Sequence, residues 1–419
     1  MNRVIVVGGG ASGMMAAIAA AREGADVTVL EAGRKPGRKL LLTGNGRCNL
    51  TSLDPDLASR YASVGPEDCK SFVSEVLDRF CAADTIRLFE EFGLLTMTEH
   101  GSWVYPVTGR SESVLNVLLR ELQRLHVRLK YNVEVTGIDR TENEWQVCTD
   151  GWSYPCDSVV LCCGSRAVPS TGSNGTGYEL CRGLGMDVTD ILPALTAVRC
   201  RISQEDCLVF DAGRQKADPL RSASGTRIRA DVRIYADGEL LACESGQVQF
   251  TQEGISGIVI FNLSRYAVRA LHEGCDVTLT LDLLPGYDPD DLNRFLARQQ
   301  ELHPDEDLRD LLAGILPPDL TGLFDPLKSI DETVSRIKRL PLQALGLRDF
   351  ENCQVCAGGV SLHEIDPASM ECVREDLKGI YIAGELADVD GPCGGYNLQW
   401  AWSSGYTAGK HAAGDGVTC

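Results

Sequence analysis

Residues 4–17 read VIVVGGGASGMMAA, and the fold of the chain turns on this stretch. RVIVV at 3–7 is a continuous β-branched run, as required of a strand covered on both faces in a parallel sheet. Glycines between 8 and 13 turn the chain, MMAAIAAAREG at 14–24 supplies helix formers and stops at a glycine, and DVTVLE at 26–31 is a second strand. Together they make a βαβ unit of about thirty residues. Within it Gly8, Gly10 and Gly13 stand as G-x-G-x-x-G, and Glu31 closes the second strand. Gly8 permits the tight turn, Gly10 lets backbone approach a pyrophosphate at the positive end of the helix that continues through Ala11 and Ser12, and Gly13 allows helix and strand to pack closely. Glu31, followed by Ala32, suits ribose hydroxyls. The unit predicts a dinucleotide site and leaves NAD, NADP and FAD open.

Two other stretches bear on that choice. GRKLLLTGNGRCN at 37–49 follows the ribose-binding acid, where a plain NAD domain continues with another helix and strand. This basic, glycine-rich loop is suited to lie along a longer dinucleotide, with backbone N–H groups and Lys39 or Arg47 facing phosphate or flavin. Near the other end, GELADVDGPCGGYNLQWAWSSGYTAG at 384–409 opens with Gly384 and Glu385, whose carboxylate suits a ribitol hydroxyl. Glycines 391, 394 and 395 let backbone approach a ring. A helix starting near Tyr396, with Asn397 and Leu398 in its first turn, aims its positive end at the flavin N1 and O2 region.

The remainder of the chain constrains class and compartment. At 419 residues it exceeds what one core usually organises. Its 44% hydrophobic and 24% charged residues fit a soluble protein. A net charge of −19 repels phosphate polymers, so nucleic acid is not an expected partner. The seventeen cysteines are scattered, three glycines at 8–10 spoil any signal-peptide core, and no apolar run reaches membrane-spanning length. These features read as a cytoplasmic protein with reduced thiols. Six dispersed histidines offer no metal-ligand spacing. VRLKYNVEVTGIDR at 127–140 alternates as a strand, and DSVVLCCG at 157–164 is an apolar strand closing on Gly164. From 194 the pattern changes to alternating strands, with an Asp-Gly hairpin at 237–238, then to charged helices over 288–340.

VIVVGGGASGMMAA through LEAGRKPGRKLLLTGNGRCNLT, VVLCCGSRAVPSTGSNGTGYELCRGLG, AGGVSLHEID at 357–366 and the terminal block together resemble the BaiN-like family of FAD-dependent oxidoreductases, also described as aminoacetone oxidase-like flavoproteins. The resemblance implies an α/β architecture: a Rossmann-like FAD-binding domain in two parts, 1–193 and 341–419, interrupted by a β-barrel-like domain at 194–287 and a helical subdomain at 288–340. It implies that Gly8, Gly10, Ser12, Gly13 and Glu31 contact the ADP half of FAD, that Lys39, Gly44, Asn45, Gly46, Arg47, Cys48 and Asn49 lie near the pyrophosphate and ring, and that Val135 meets adenine through its backbone. Gly164 ends the strand that resembles the family's Ala-Thr-Gly motif, with Cys162-Cys163-Gly164 in its place.

A second G-x-G-x-x-G is absent, since Gly172, Gly175 and Gly177 fall as G-x-x-G-x-G. NADH or NADPH is therefore expected to dock only transiently as electron donor. Cys353-x-x-Cys356 has redox spacing but sits in a strand-like segment without a helix N-terminus to activate it. Three readings follow: a reductase of an activated C=C bond, with an unsaturated 3-oxo steroid or bile acid among the substrates the resemblance implies; an oxidase or dehydrogenase of a small amine or aminoketone; and a flavin-bound sensor. The reductase reading is preferred, because a cysteine-rich chain is ill suited to steady peroxide production and an insertion of about 150 residues is a natural way to build a substrate cleft. As proton donor, Tyr105, His100, His363 and Tyr396 come into view; Tyr396, inside the ring-facing block, is the first choice and His363 the second.

Overall fold

The computed structural model describes residues 1–142, 144–202, 219–324 and 329–414. Two compact units emerge, Met1–Leu192 with Gln354–Cys419, and Pro193–Cys353. The first is built on the βαβ unit: β1 (Arg3–Val7), α1 (Ala11–Arg22) and β2 (Asp26–Glu31). β1 lies third in a five-stranded sheet ordered Ile380–Ile382, Ser158–Leu161, β1, β2, Arg128–Tyr131, all pairs parallel. Val4, Val6, Val159 and Val160 are fully buried, as the continuous apolar runs demand of strands covered on both faces.

The C-terminal helix Tyr396–Ala412 packs against α1, and its sequence explains how closely. Gly405 and Gly409 lie one helical turn apart on one face. A Cβ at Gly405 would sit 2.4 Å from the carbonyl oxygen of Ser12, and one at Gly409 2.1 Å from that of Ala16. The small residues of α1 and these two glycines bring the helix backbones into contact, which anchors the 384–409 block beside the glycine turn.

The alternation at 127–140 is not one strand. Arg128–Tyr131 joins the parallel sheet, whereas Val135–Arg140 pairs with Trp145–Thr149 in a separate antiparallel sheet completed by Trp152–Cys156. Asn132 breaks the run at φ 56°, and the N–H groups of Asn132 and Val133 donate to the carbonyls of Gly33 and Glu31, both at 3.0 Å. The apolar period continues across this break, so the pattern alone conceals it. A third small sheet, antiparallel, comprises β3 (Thr51–Ser52), β4 (Thr96–Glu99) and β5 (Trp103–Pro106), in the order β3-β5-β4.

The second unit holds a closed six-stranded barrel, ordered Val198–Ile202, Gly254–Ser256, Glu239–Thr251, Arg227–Ala236, Val277–Asp282, Leu340–Leu347. Asp237 and Gly238 turn its long hairpin with both φ values positive, as a two-residue type I′ turn requires. Residues 203–218, within the expected β-rich insert, lie outside the described residues. Helices Pro289–Leu302 and Ile330–Lys338 bury Leu292, Leu296, Val334 and Ile337 in the same apolar cluster as the barrel interior. Because Leu340–Leu347 is itself a barrel strand, the first unit resumes at Gln354 rather than at 341.

Candidate active site

The glycine turn divides its labour between packing and openness. Gly8, at φ 105°, would place a Cβ 2.4 Å from the Cys162 carbonyl oxygen, and Gly13 would place one 1.9 Å from the carbonyl oxygen of Gly8. Both are glycine because backbone fills the space. At Gly10 a Cβ would meet nothing within 4 Å. α1 starts there with no side-chain cap and no acid in its first turn, although helices elsewhere in the chain are capped by Asp68, Asp288 and Ser329. The first N–H groups of α1, at Ala11 and Ser12, and its positive end are thus left to an anion in open space, and this fits a dinucleotide pyrophosphate. Across the turn, the Glu31 carboxylate accepts from Gly9 N at 2.8 Å and Gly33 N at 2.6 Å. Those two bonds fix it at the strand end, beside Ala32, with acceptor capacity left for ribose hydroxyls. Val135 is buried just beyond the turn that hydrogen-bonds to Glu31.

Glu385 is anchored rather than free. Lys39 Nζ and Ser165 Oγ both donate to its Oε2 at 2.6 Å. Gly164, at φ 73°, lets the chain turn from the buried strand toward Ser165. Gly384 donates its N–H to Ser404 Oγ at 2.9 Å, and its carbonyl accepts from the Trp400 indole at 2.9 Å. Trp400 and Trp402 are therefore packing residues, the latter bonded to the Leu50 carbonyl. Burial pushes the Cys163 and Cys48 thiols up to about 12, so neither is a ready nucleophile.

The loop at 44–49 is held open by its backbone: Gly44, Asn45, Gly46 and Cys48 all have positive φ. Asn49, with its amide turned to donate to the Val104 and Thr51 carbonyls, accepts from Gly395 N at 3.3 Å. Arg47 is engaged by Glu99 at 2.6 Å, and its guanidinium lies 4.3 Å over the Tyr105 ring.

Gly395, at φ 95°, begins the C-terminal helix, again without a side-chain cap or an acid in the first turn. The Asn397 amide folds back on the preceding loop, accepting from Gly391 N and donating to the Gly391 carbonyl, both at 2.8 Å. Leu398, partly buried, packs against the main apolar core. Gly394 would place a Cβ 2.6 Å from the Trp103 indole nitrogen, so this loop presses on β5. The structure thus gathers 44–49, 103–105 and 391–398 in one place, and holds Lys39 against Glu385.

The two expected proton donors are otherwise engaged. The Tyr396 hydroxyl donates to Asp54 Oδ2 at 2.7 Å, and Asp54 accepts from Arg60 at 3.0 Å. Burial, reinforced by Asp54, pushes the phenol up to about 12. His363, half exposed, lies 3.0 Å from both Glu67 Oε1 and Ser361 Oγ. The Glu67 hydrogen bond holds it above the usual histidine range. Asp54 and Glu67 carry no signal in the sequence, because each meets its partner across roughly three hundred residues. Among the described residues no group of three or more His, Cys, Asp or Glu side chains is placed to hold a metal ion, and no helix is long and apolar enough to cross a membrane.

A family model described as the HI0933-like protein Rossmann domain matches residues 2–411. The chain is similar to the 3-dehydro-bile acid delta(4,6)-reductase of Clostridium scindens, with 36% identity over 99% of both chains. It is also similar to the ribosomal RNA dihydrouridine synthase of Escherichia coli, with 27% identity over 97% of this chain and 96% of that one. Among solved structures, the 3-ketosteroid-delta4-(5alpha)-dehydrogenase of Rhodococcus jostii RHA1 shares the fold, with a TM-score of 0.50 and 16% identity over 99% of this chain and 97% of that one.

Proposed function

The chain belongs to the HI0933-like family and is an FAD-dependent oxidoreductase, and from that premise we propose that it uses NADH or NADPH to reduce a C=C bond conjugated to a carbonyl, in an unsaturated 3-oxo steroid or bile acid. The observation that carries this reading is the 36% identity along 99% of both chains to a bile acid reductase. The dihydrouridine synthases among its relatives support the reaction class, since a dihydrouridine is a uridine whose carbonyl-conjugated C=C bond has been saturated. A chain of net charge −19 repels an RNA backbone, which favours the small substrate.

Bound FAD would supply the hydride chemistry, taking two electrons from a nicotinamide and passing them to the electron-poor carbon of an enone. The chain's own residues bind and orient. Ala11 and Ser12 at the uncapped start of α1 would hold the pyrophosphate; Glu31, fixed by Gly9 and Gly33, would hold the adenosine ribose; and Glu385, fixed by Lys39 and Ser165, would hold the ribitol. The uncapped N–H groups at Asn397 and Leu398 would offer a helix's positive end to negative charge on a reduced ring. With one G-x-G-x-x-G in the sequence, the nicotinamide docks transiently, in a cytoplasmic protein with reduced thiols.

The test is anaerobic. NADH or NADPH should bleach the visible flavin band, and a 3-oxo-4-ene steroid should restore it. A flavin that neither nucleotide reduces would refute the donor assignment.

A further inference from the structure

We propose that Tyr105 is the catalytic acid that protonates the substrate carbon beside the carbonyl. The inference rests on the reductase reading above and adds the residue that completes the reaction. The Tyr396 hydroxyl is given to Asp54 and His363 is held at Glu67, whereas Tyr105 has a hydroxyl with no partner among the described residues.

β5 supplies it. Alternation along the strand sets Trp103 and Tyr105 on one face, opposite Glu99 and Met97 of β4. Tyr105 is only 6% exposed, yet among the described residues nothing hydrogen-bonds its hydroxyl. That oxygen is not fully enclosed either. A buried phenol whose hydroxyl has no protein partner, and is not fully enclosed, is free to meet a ligand atom. The surroundings are those assigned to the ring end of the cofactor: the Gly44 loop lies against the phenol ring, 3.6 Å from a Cβ at that glycine, and Trp103 on the same face touches Gly394.

Arg47 gives the phenol its chemistry. Its guanidinium sits 4.3 Å over the ring and is pinned by Glu99 at 2.6 Å. A fixed cation there favours the phenolate left after proton transfer. Burial pulls the other way, holding the phenol above its ordinary value and hence protonated at neutral pH. In the step, hydride forms a C–H bond at the far alkene carbon, the π bond breaks toward the carbon beside the carbonyl, and that carbon takes the Tyr105 proton. Two C–H bonds form; the π bond, the Tyr105 O–H bond and the bond that held the hydride on its donor break; NAD(P)H is the net two-electron reductant, and the phenolate regains its proton from water.

The experiment uses FAD-loaded wild type and Tyr105→Phe. Each is reduced with dithionite without oxygen, then mixed with a 3-oxo-4-ene steroid. Wild type should reoxidise; Tyr105→Phe should do so slower by at least about 10²-fold, the usual contribution of a positioned acid, while its reduction by NAD(P)H keeps the wild-type rate. A second readout needs no turnover. In protein labelled with 13Cζ-tyrosine, the resonance missing from Tyr105→Phe should titrate, and Arg47→Met should move its midpoint upward. Wild-type reoxidation in Tyr105→Phe, or a midpoint indifferent to Arg47→Met, overturns the assignment. Reduced wild type that ignores the steroid overturns the reductase reading instead, and the acid role with it.

Discussion

Gly10→Glu separates ligand binding from folding. Gly10 has extended backbone, φ −79° and ψ −168°, and a Cβ there meets nothing within 4 Å, so glutamate fits the flavin-free fold. The expected change in flavin-free stability is therefore within about 0.5 kcal/mol. The new carboxylate projects into the space assigned to the pyrophosphate. Two like charges about 4 Å apart at an effective dielectric of about 20 repel by about 4 kcal/mol, which weakens FAD binding by about 10³-fold. The assay is a fluorescence titration of flavin-free protein with FAD, paired with melting curves with and without FAD. Gly13→Ala is the contrasting variant. Its methyl would sit 1.9 Å from the Gly8 carbonyl oxygen, so it should destabilise the flavin-free protein by about 1–3 kcal/mol. A Gly10→Glu protein that purifies fully yellow with wild-type affinity would refute the placement of the pyrophosphate.

Gly409→Ala should force α1 and the C-terminal helix apart, because its methyl would lie 2.1 Å from the Ala16 carbonyl oxygen; urea unfolding should record a loss of about 1–3 kcal/mol. Tyr396→Phe removes the hydrogen bond to Asp54 and should cost about 1–2 kcal/mol of stability, with steroid-driven flavin reoxidation close to wild type; a collapse of that rate alone would return Tyr396 to the proton-transfer step. His363→Gln tests a pH dependence. The folded histidine is raised above 6.5, chiefly by Glu67, so its stabilisation is complete below that pH and is lost as pH rises through the raised value. The melting-temperature gap between variant and wild type should be largest in acid and close in alkali, and a half-exposed, solvent-screened pair limits it to under about 1 kcal/mol.

The parallel sheet was readable because β1 and Ser158–Leu161 carry continuous apolar runs and β1 is followed by glycines whose spacing has a mechanical reason. The long barrel hairpin was readable from alternation and one Asp-Gly pair. The break at Asn132 was not, since its cause is a pair of backbone bonds to Gly33 and Glu31 that leave the alternation intact. Within the site, the glycines and both carboxylates could be named in advance because their spacing to a strand end or helix start carries meaning. Their partners could not: Ser165 reaches Glu385 across 220 residues and Lys39 across 346. Tyr105 illustrates the same limit. Its place in the sequence made it one aromatic among several, and only the folded chain reveals a ring under a fixed guanidinium whose hydroxyl, among the described residues, has no partner.

The most direct test of the central claim is one anaerobic stopped-flow experiment on the FAD-loaded protein. NADH or NADPH is mixed first, and a 3-oxo-4-ene steroid second, with the visible flavin absorption followed throughout. Bleaching by a nucleotide, then recovery on adding the steroid with formation of its saturated ketone, is the predicted result. A flavin that stays oxidised with both nucleotides, and that stays reduced before the steroid when reduced chemically, would contradict it.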